Sequence, residues 1–462
     1  MSEAFVQSCQ YRPKMRFPNA TASEQIRRIF YAVTPWESSY EKVDDVPDYL
    51  NEAVPVFIAA IAVEYLVAVL MGKRTLRFND GASSLTAGLM SQLSKVMVLI
   101  AEFTLYVYVY ENYRITALPW DSPWTWLLCF IVIDFTYYWF HRATHEVNFL
   151  WGAHQVHHSS EDYNLTTALR QSVVQNYTSW VFYFPLALVA PPSAFYVHHQ
   201  LNTLYQFWIH TELIETLGPL EYILNTPSHH RVHHGRNPYC IDKNYAGTLI
   251  IWDRLFGTFQ AEKEEKVVYG LVHPLESWNP IYIQFCHYKY MFETFWKMDG
   301  FRNKISFLVK GPGWVPGSPR LGNPEDIPAI EYPVVKFDKK LPLIKNVYVV
   351  IHSVVLSVAF QELAVKKLVL SVAHIWLVGG FIILTMTSLG FMFEHRSFAA
   401  PLETLRCLLF IVIDLVTSSK KYDLAVFPGN SLEITRIVYV ISAFIWTIVT
   451  LKEQNETKEK TH

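Results

Sequence analysis

Apolar runs and polar stretches alternate along the chain in long blocks. A helix that crosses the hydrocarbon core of a bilayer needs about 20 mostly apolar residues. Ala53–Gly72 meets that length, with Glu64 inside it. Val96–Tyr110 is apolar but short, and Trp124–Phe140 is apolar apart from Asp134. Val173–Val189 is a further candidate, closed by Ala190, Pro191 and Pro192. Towards the C-terminus come Val347–Phe360, His374–Phe393, Leu402–Val416 and Ile434–Leu451. The pattern predicts an all-α, multi-pass membrane helical bundle with five to eight embedded segments, some of them re-entrant or interfacial. Lys and Arg flank several segments on both sides, so positive charge leaves the orientation open.

The blocks suggest a division. Residues 1–50 are a polar N-terminal segment and 51–135 hold the first transmembrane helices. Residues 136–300 carry the polar chemistry. Residues 301–344 form a linker, because Lys310–Pro328 is too rich in Gly and Pro for a long helix. Residues 345–452 form a C-terminal transmembrane bundle, and 453–462 a polar tail expected to be disordered. No internal repeat of fixed period is visible.

Composition narrows the classes. Only 17% of the 462 residues are charged and the net charge is -2. That is below the roughly 25% charged content of soluble domains, and it gives no broad pull towards nucleic acid. Five scattered cysteines without a CxxC pair speak against a disulfide framework and against a thiolate metal site. The N-terminal stretch Met1–Phe17 lacks the apolar core of a cleavable signal peptide.

The histidines change the picture most. Twelve of the 18 lie between His141 and His234. His141 and His145 are spaced i, i+4. His154, His157 and His158 are spaced i, i+3, i+4, and His230, His233 and His234 repeat that spacing. Residues three and four apart share a helix face, so each cluster is an imidazole arm able to offer several nitrogens to a metal. Eight nitrogens are too many for one ion and about right for two. Imidazole suits zinc, copper, iron and nickel alike. Isolated histidines such as His198, His199, His273, His287, His352, His374 and His395 read as hydrogen-bonded core residues.

HRATH, HQVHH and HRVHH resemble the eight-histidine signature of the fatty acid hydroxylase and sterol desaturase superfamily. SSEDYNLTTALRQS, LYQFWIHTE, HHGRNPYCIDKNYAG and KGPGWVPGSPRLG are similar to its glyceryl-ether-cleaving branch, over most of the chain. The resemblance implies a di-iron centre in a cytosolic cap above membrane helices, O2 as oxidant and tetrahydrobiopterin as reductant. It also implies ether lipid substrates and the endoplasmic reticulum membrane. It carries the catalytic and ligand roles onto His141, His145, His154, His157, His158, His230, His233 and His234. His210 joins them as a metal ligand, because Gln206 and His210 repeat the i, i+4 spacing of the first cluster. Gln206 reads as a water-mediated or outer contact, and His229 competes with His230 for coordination. Asp134, Glu146, Glu161 and Asp162 are candidates to orient a ligand imidazole or the pterin, with Glu146 assigned to the cofactor.

The implied reaction hydroxylates the O-alkyl carbon, and the hemiacetal collapses to fatty aldehyde and a glycerol product. The terminal KEKTH resembles a K-x-K-x-x retrieval signal, and Asn164 and Asn176 are sequons expected to stay unglycosylated on the cytosolic side. Two alternatives stay open. A sterol or sphingolipid hydroxylase would carry the same histidines, and a histidine-rich metal transporter would carry similar ones.

Overall fold

The computed structural model of the protein describes residues 20–73, 76–98, 102–367, 369–419 and 430–461. Met1–Phe17, where no signal-peptide core is found, lies outside them. Among the described residues the fold is all-α, with two isolated bridges, Leu224 to Leu249 and Gly235 to Tyr269, and no sheet. Four helical stretches are long and apolar enough to cross a membrane: Val43–Leu70, Leu343–Lys366, Val372–Phe393 and Leu432–Glu453. The bent pair Phe78–Val98 and Phe103–Tyr113 makes a fifth if it counts as one span. The chain is a multi-pass membrane protein.

The described residues fold as two compact units, the first made of those within 1–88, 100–275 and 284–336 and the second of those within 89–99, 276–283 and 337–462. In chain order the longer helices up to residue 309 are α1 (Ala22–Ile29), α2 (Tyr49–Leu70), α3 (Phe78–Val98), α4 (Glu102–Tyr113), α5 (Pro123–Glu146), α6 (Asn148–His158), α7 (Pro192–Trp208), α8 (Pro227–His234), α9 (Pro280–Lys297) and α10 (Phe301–Val309). α5, α7 and α8 each open on a proline. Its fixed φ suits the first helical position, and its missing N–H would be unpaired there anyway. α1 and α2 pack on α7 through Ile29, Tyr49, Ala53, Val197, Leu201, Leu204 and Phe207.

Three stretches differ from expectation. Val173–Val189 is not a spanning helix but a set of short turns, Gln175–Tyr177, Trp180–Tyr183 and Phe184–Leu188. Pro185 lacks the N–H that a continuous helix would need, and it falls where Trp180–Tyr183 passes into the tighter turn Phe184–Leu188. Residues 310–342 hold no long helix, as their composition requires, yet they dock within the first unit as far as Lys336. The Lys310 carbonyl accepts from the Asn148 N–H at 2.7 Å, and Lys336 Nζ lies 2.7 Å from the Asp162 carboxylate. The last helix runs on through the polar tail to Thr461, whose Lys, Glu and Gln are good helix formers. The side chains of Lys458 and Lys460 lie outside the described residues.

The second unit contains α11 (Leu343–Lys366), α12 (Val372–Phe393), α13 (Ala399–Ser419) and α14 (Asn430–Thr461). Glu403 and Arg406 on α13 form an ion pair with both side chains 0% exposed. Every helix of the bundle contributes to it. Arg406 donates to Tyr439 Oη on α14 at 2.9 Å and to His352 Nδ1 on α11 at 3.1 Å. Glu403 accepts from Ser388 on α12 at 2.6 Å and from the Tyr348 hydroxyl on α11. The other ring nitrogen of His352 donates to Ser442 Oγ at 3.0 Å.

Candidate metal centre

α5 ends in His141 and His145, α6 in His154, His157 and His158, and α8 in His230, His233 and His234. His210 sits two residues beyond the end of α7. All nine are buried, and they meet as two groups. His141, His145, His154, His158 and His233 form the first, and His157, His210, His230 and His234 the second, with the ligand nitrogens of each group within 4.8 Å of one another. Helix periodicity explains the sorting. The i, i+4 pairs His141/His145, His154/His158 and His230/His234 each stay together on one face. The residues off that register, His157 and His233, cross to the other group.

The hydrogen bonds around the rings fix their tautomers. His141 Nδ1 lies 2.7 Å from the Tyr245 carbonyl, His157 Nδ1 3.1 Å from that of Arg170, and His233 Nδ1 3.0 Å from that of Lys243. His154 Nδ1 faces Gln175 Oε1 at 2.9 Å. A carbonyl oxygen only accepts, so each Nδ1 carries the proton and each Nε2 is a bare lone pair. These bare nitrogens point at other imidazole nitrogens. His141 and His154 Nε2 are 2.9 Å apart, and His210 Nε2 lies 3.2 Å from His157 Nε2 and 3.1 Å from those of His230 and His234.

Protonation does not relieve the crowding. Burial, reinforced by the neighbouring imidazoles, holds His141, His145, His157, His158, His230, His233 and His234 well below the usual histidine range. Burial alone takes His154 down to about 4 and His210 to about 3. Nε2 of His145 and His233 has no hydrogen-bond partner. Buried lone pairs that converge without donors are unstable by themselves and match a cation's needs. Nine imidazoles in two groups fit a di-iron site.

His210 reaches its group by a route the i, i+4 spacing does not describe. α7 ends at Trp208, and the Gln206 carbonyl is one of the last four that such a helix leaves unpaired. His210 Nδ1 donates to it at 2.6 Å. The Gln206 side chain turns elsewhere, accepting from Tyr137 at 2.6 Å and donating to Asn202. Gln206 therefore orients His210 through its backbone. His229 stays outside both groups, with its ring against Phe259.

The acidic candidates are placed as follows. Asp134 accepts from the Thr248 and Leu249 N–H groups, Trp252 Nε1 and Asn202 Nδ2 at 2.7–2.9 Å. Asp253 accepts from the N–H groups of Tyr245 and Ala246. Together they fix the turn that presents the Tyr245 carbonyl to His141. Gly247 in that turn has no room for a side chain, since a Cβ would lie 2.9 Å from Tyr137 and Asn202. Glu146 is held by Arg142 at 2.7 Å and by Arg320 at 3.4 Å. Glu161 and Asp162 pair with Arg77. Asp242 lies 3.7 Å from His145 Nδ1, and burial with the nearby Glu146 carboxylate pushes its carboxyl up to about 7.

Residues 126–258 match the fatty acid hydroxylase family, and residues 345–425 match the C-terminal domain of alkylglycerol monooxygenase. The chain is 51% identical to alkylglycerol monooxygenase of Xenopus tropicalis over 95% of its length and 97% of that protein. Identity is 52% to the Homo sapiens enzyme, over 86% of this chain and 89% of the relative, and 46% to that of Danio rerio, over 96% and 98%. The chain belongs to the alkylglycerol monooxygenase family. No solved structure matches it. The family match at residues 126–258 takes in every histidine of both groups.

Sequence reasoning missed the residues that orient the rings. Gln175 lies in a segment that read as apolar. Tyr245, Arg170 and Lys243 act through carbonyls, which no side-chain pattern marks, and Gln206, expected as an outer contact, acts through its carbonyl as well.

Proposed function

We propose that the chain is a membrane-bound monooxygenase that cleaves the O-alkyl bond of glyceryl ethers with O2 and tetrahydrobiopterin. The observation that carries this reading is the pair of imidazole groups with converging bare nitrogens, in a chain related over its length to alkylglycerol monooxygenases. His141, His145, His154, His158 and His233 would hold one iron, and His157, His210, His230 and His234 the other. Two irons, when bound, supply O2 activation with electrons from the reduced pterin. The chain's own work is to hold the rings by their Nδ1–carbonyl bonds, keep the nitrogens unprotonated and exclude water. The catalytic work is assigned to residues 136–300.

One oxygen atom enters the alkyl carbon beside the ether oxygen and the other leaves as water, the pterin giving two electrons. The hemiacetal then breaks its C–O bond, its hydroxyl proton passing to the departing glycerol oxygen, and fatty aldehyde is released. Each buried CH2 of the alkyl chain contributes about 0.8 kcal/mol, so chain length chiefly sets affinity. Glu146, beside His145 and held by Arg142 and Arg320, is the candidate carboxylate for the pterin.

The proposed location is the endoplasmic reticulum membrane, with the metal centre and C-terminus on the cytosolic side. Asn164 is buried and caps the turn Leu165–Ala168 through its side chain, which leaves no room for a glycan.

The test is product analysis of purified protein given an alkylglycerol, iron, labelled O2 and reduced pterin. Labelled aldehyde that requires every component is expected. Aldehyde without pterin would contradict the reductant. A hydroxylated sterol or sphingolipid in place of aldehyde would contradict the substrate.

A further inference from the structure

Glu64 is an acid inside an apolar span, Val43–Leu70, and its side chain is buried. Acidic groups in such segments are costly and are kept where something needs them. Its carboxylate accepts from two donors, neither a cation. One is the Leu165 N–H at 2.8 Å, and the other is the Thr211 hydroxyl at 2.7 Å. Thr211 follows His210 directly. Leu165 lies seven residues beyond His158, the end of the helix that also carries His157.

The turn that carries His210 is clamped from several sides. Tyr163 donates its hydroxyl to the Ile209 carbonyl at 2.9 Å, and Arg231 Nη1 donates to the Thr211 carbonyl at 3.2 Å. Glu64 is the clamp that comes from the span. The same helix, α2, also packs its Phe57 ring on Phe207 near the end of α7, with centroids 4.1 Å apart.

We propose that Glu64 is a positioning residue for the second histidine group, tying the span to the turn that aims His210. The proposal rests on the metal-binding reading above. Removing the carboxylate leaves the Thr211 hydroxyl with only the Leu213 N–H at 3.2 Å and the Leu165 N–H without its acceptor, so the His210 ring is held less firmly while the first group keeps its own supports. Outer partners of metal ligands typically change affinity by about 10–100-fold.

The experiment uses the full chain in lipid and titrates cobalt(II) into wild type, Glu64→Ala, Glu64→Gln and Thr211→Val. His145→Ala and His230→Ala serve as references that leave the second and the first group whole. Glu64→Ala is expected to weaken the second metal at least about 10-fold and leave the first unchanged. Glu64→Gln should restore it, because its oxygen can take the Leu165 N–H while its amide donates to the Thr211 hydroxyl. Thr211→Val should show a smaller loss confined to the same metal, and it decides the matter if Glu64→Ala fails to insert. Unchanged second-metal affinity in Glu64→Ala or in Thr211→Val, or equal loss at both sites, would overturn the proposal. A wild-type chain that takes one metal would instead contradict the two-metal reading, which separates the two failures.

Discussion

Two buried polar constellations in this protein are built on opposite principles. In the C-terminal bundle, Arg406 and Glu403 are surrounded by Tyr348, His352, Ser388 and Tyr439, and donors meet acceptors. His352 shows the rule: one ring nitrogen accepts from Arg406 and the other donates to Ser442. In the histidine centre the outer ring nitrogens of His141, His157, His210 and His233 are satisfied by carbonyls, while the inner ones face each other bare. A satisfied cluster completes a fold. A cluster satisfied on its outer side only is built to hold a cation.

The widest separation between the two regions comes from deleting a metal-facing ring. His145→Ala and His234→Ala should each cut turnover more than about 100-fold, beyond what loss of an outer partner does, with membrane insertion intact. His210→Ala should join them, whereas His198→Ala and His229→Ala should keep substantial activity at equal protein level. Equal losses in all would dissolve the distinction between the groups and their surroundings.

In the C-terminal bundle the effect should fall on stability instead. Arg406→Met leaves Glu403 buried without its charge partner and should cost about 3–5 kcal/mol, whereas replacing both residues by apolar ones should be nearly neutral. Turnover per folded molecule should stay unchanged in both variants. A double replacement that folds but loses activity would show that this cluster does more than hold helices.

Removing an outer support should give a smaller effect. Gln175→Leu takes away the acceptor for His154 Nδ1 and should weaken metal binding about 10-fold, read by chelator competition.

A further contrast is the acid response of the metal-free protein. Burial keeps His154 and His210 neutral down to about 4 and about 3, while an unfolded chain takes up protons near 6.5. The unfolded state therefore gains protons first as pH falls. The stability present above about 6.5 is lost between there and about 3. Thermal melts of metal-free protein across that window check the sign. Bound metal should move the loss to lower pH.

These contrasts also mark what could be read from the chain alone. The spacing put His141 with His145, His154 with His158 and His230 with His234, because helix periodicity sets which residues share a face, but it did not show that His157 and His233 cross to the other group. His210 was legible as a candidate, but the i, i+4 reasoning pointed at the Gln206 side chain and the structure uses the Gln206 carbonyl. Helix ends leave carbonyls free, and a sequence does not show where a helix will end to that accuracy. Val173–Val189 misled for a similar reason. Its apolar residues suggested a span, but the stretch folds as short turns and one of them delivers Gln175 to His154. The role of Asp134 was half legible: an acid in an apolar run needs partners, but the partners come from a turn more than a hundred residues away.

The most direct test of the central claim is the iron content of active, reconstituted protein, measured per chain alongside turnover. Two irons per chain, both required for full activity and both lost on mutation of His158 and His157 together, is the result this account predicts. A single iron per fully active chain would contradict it.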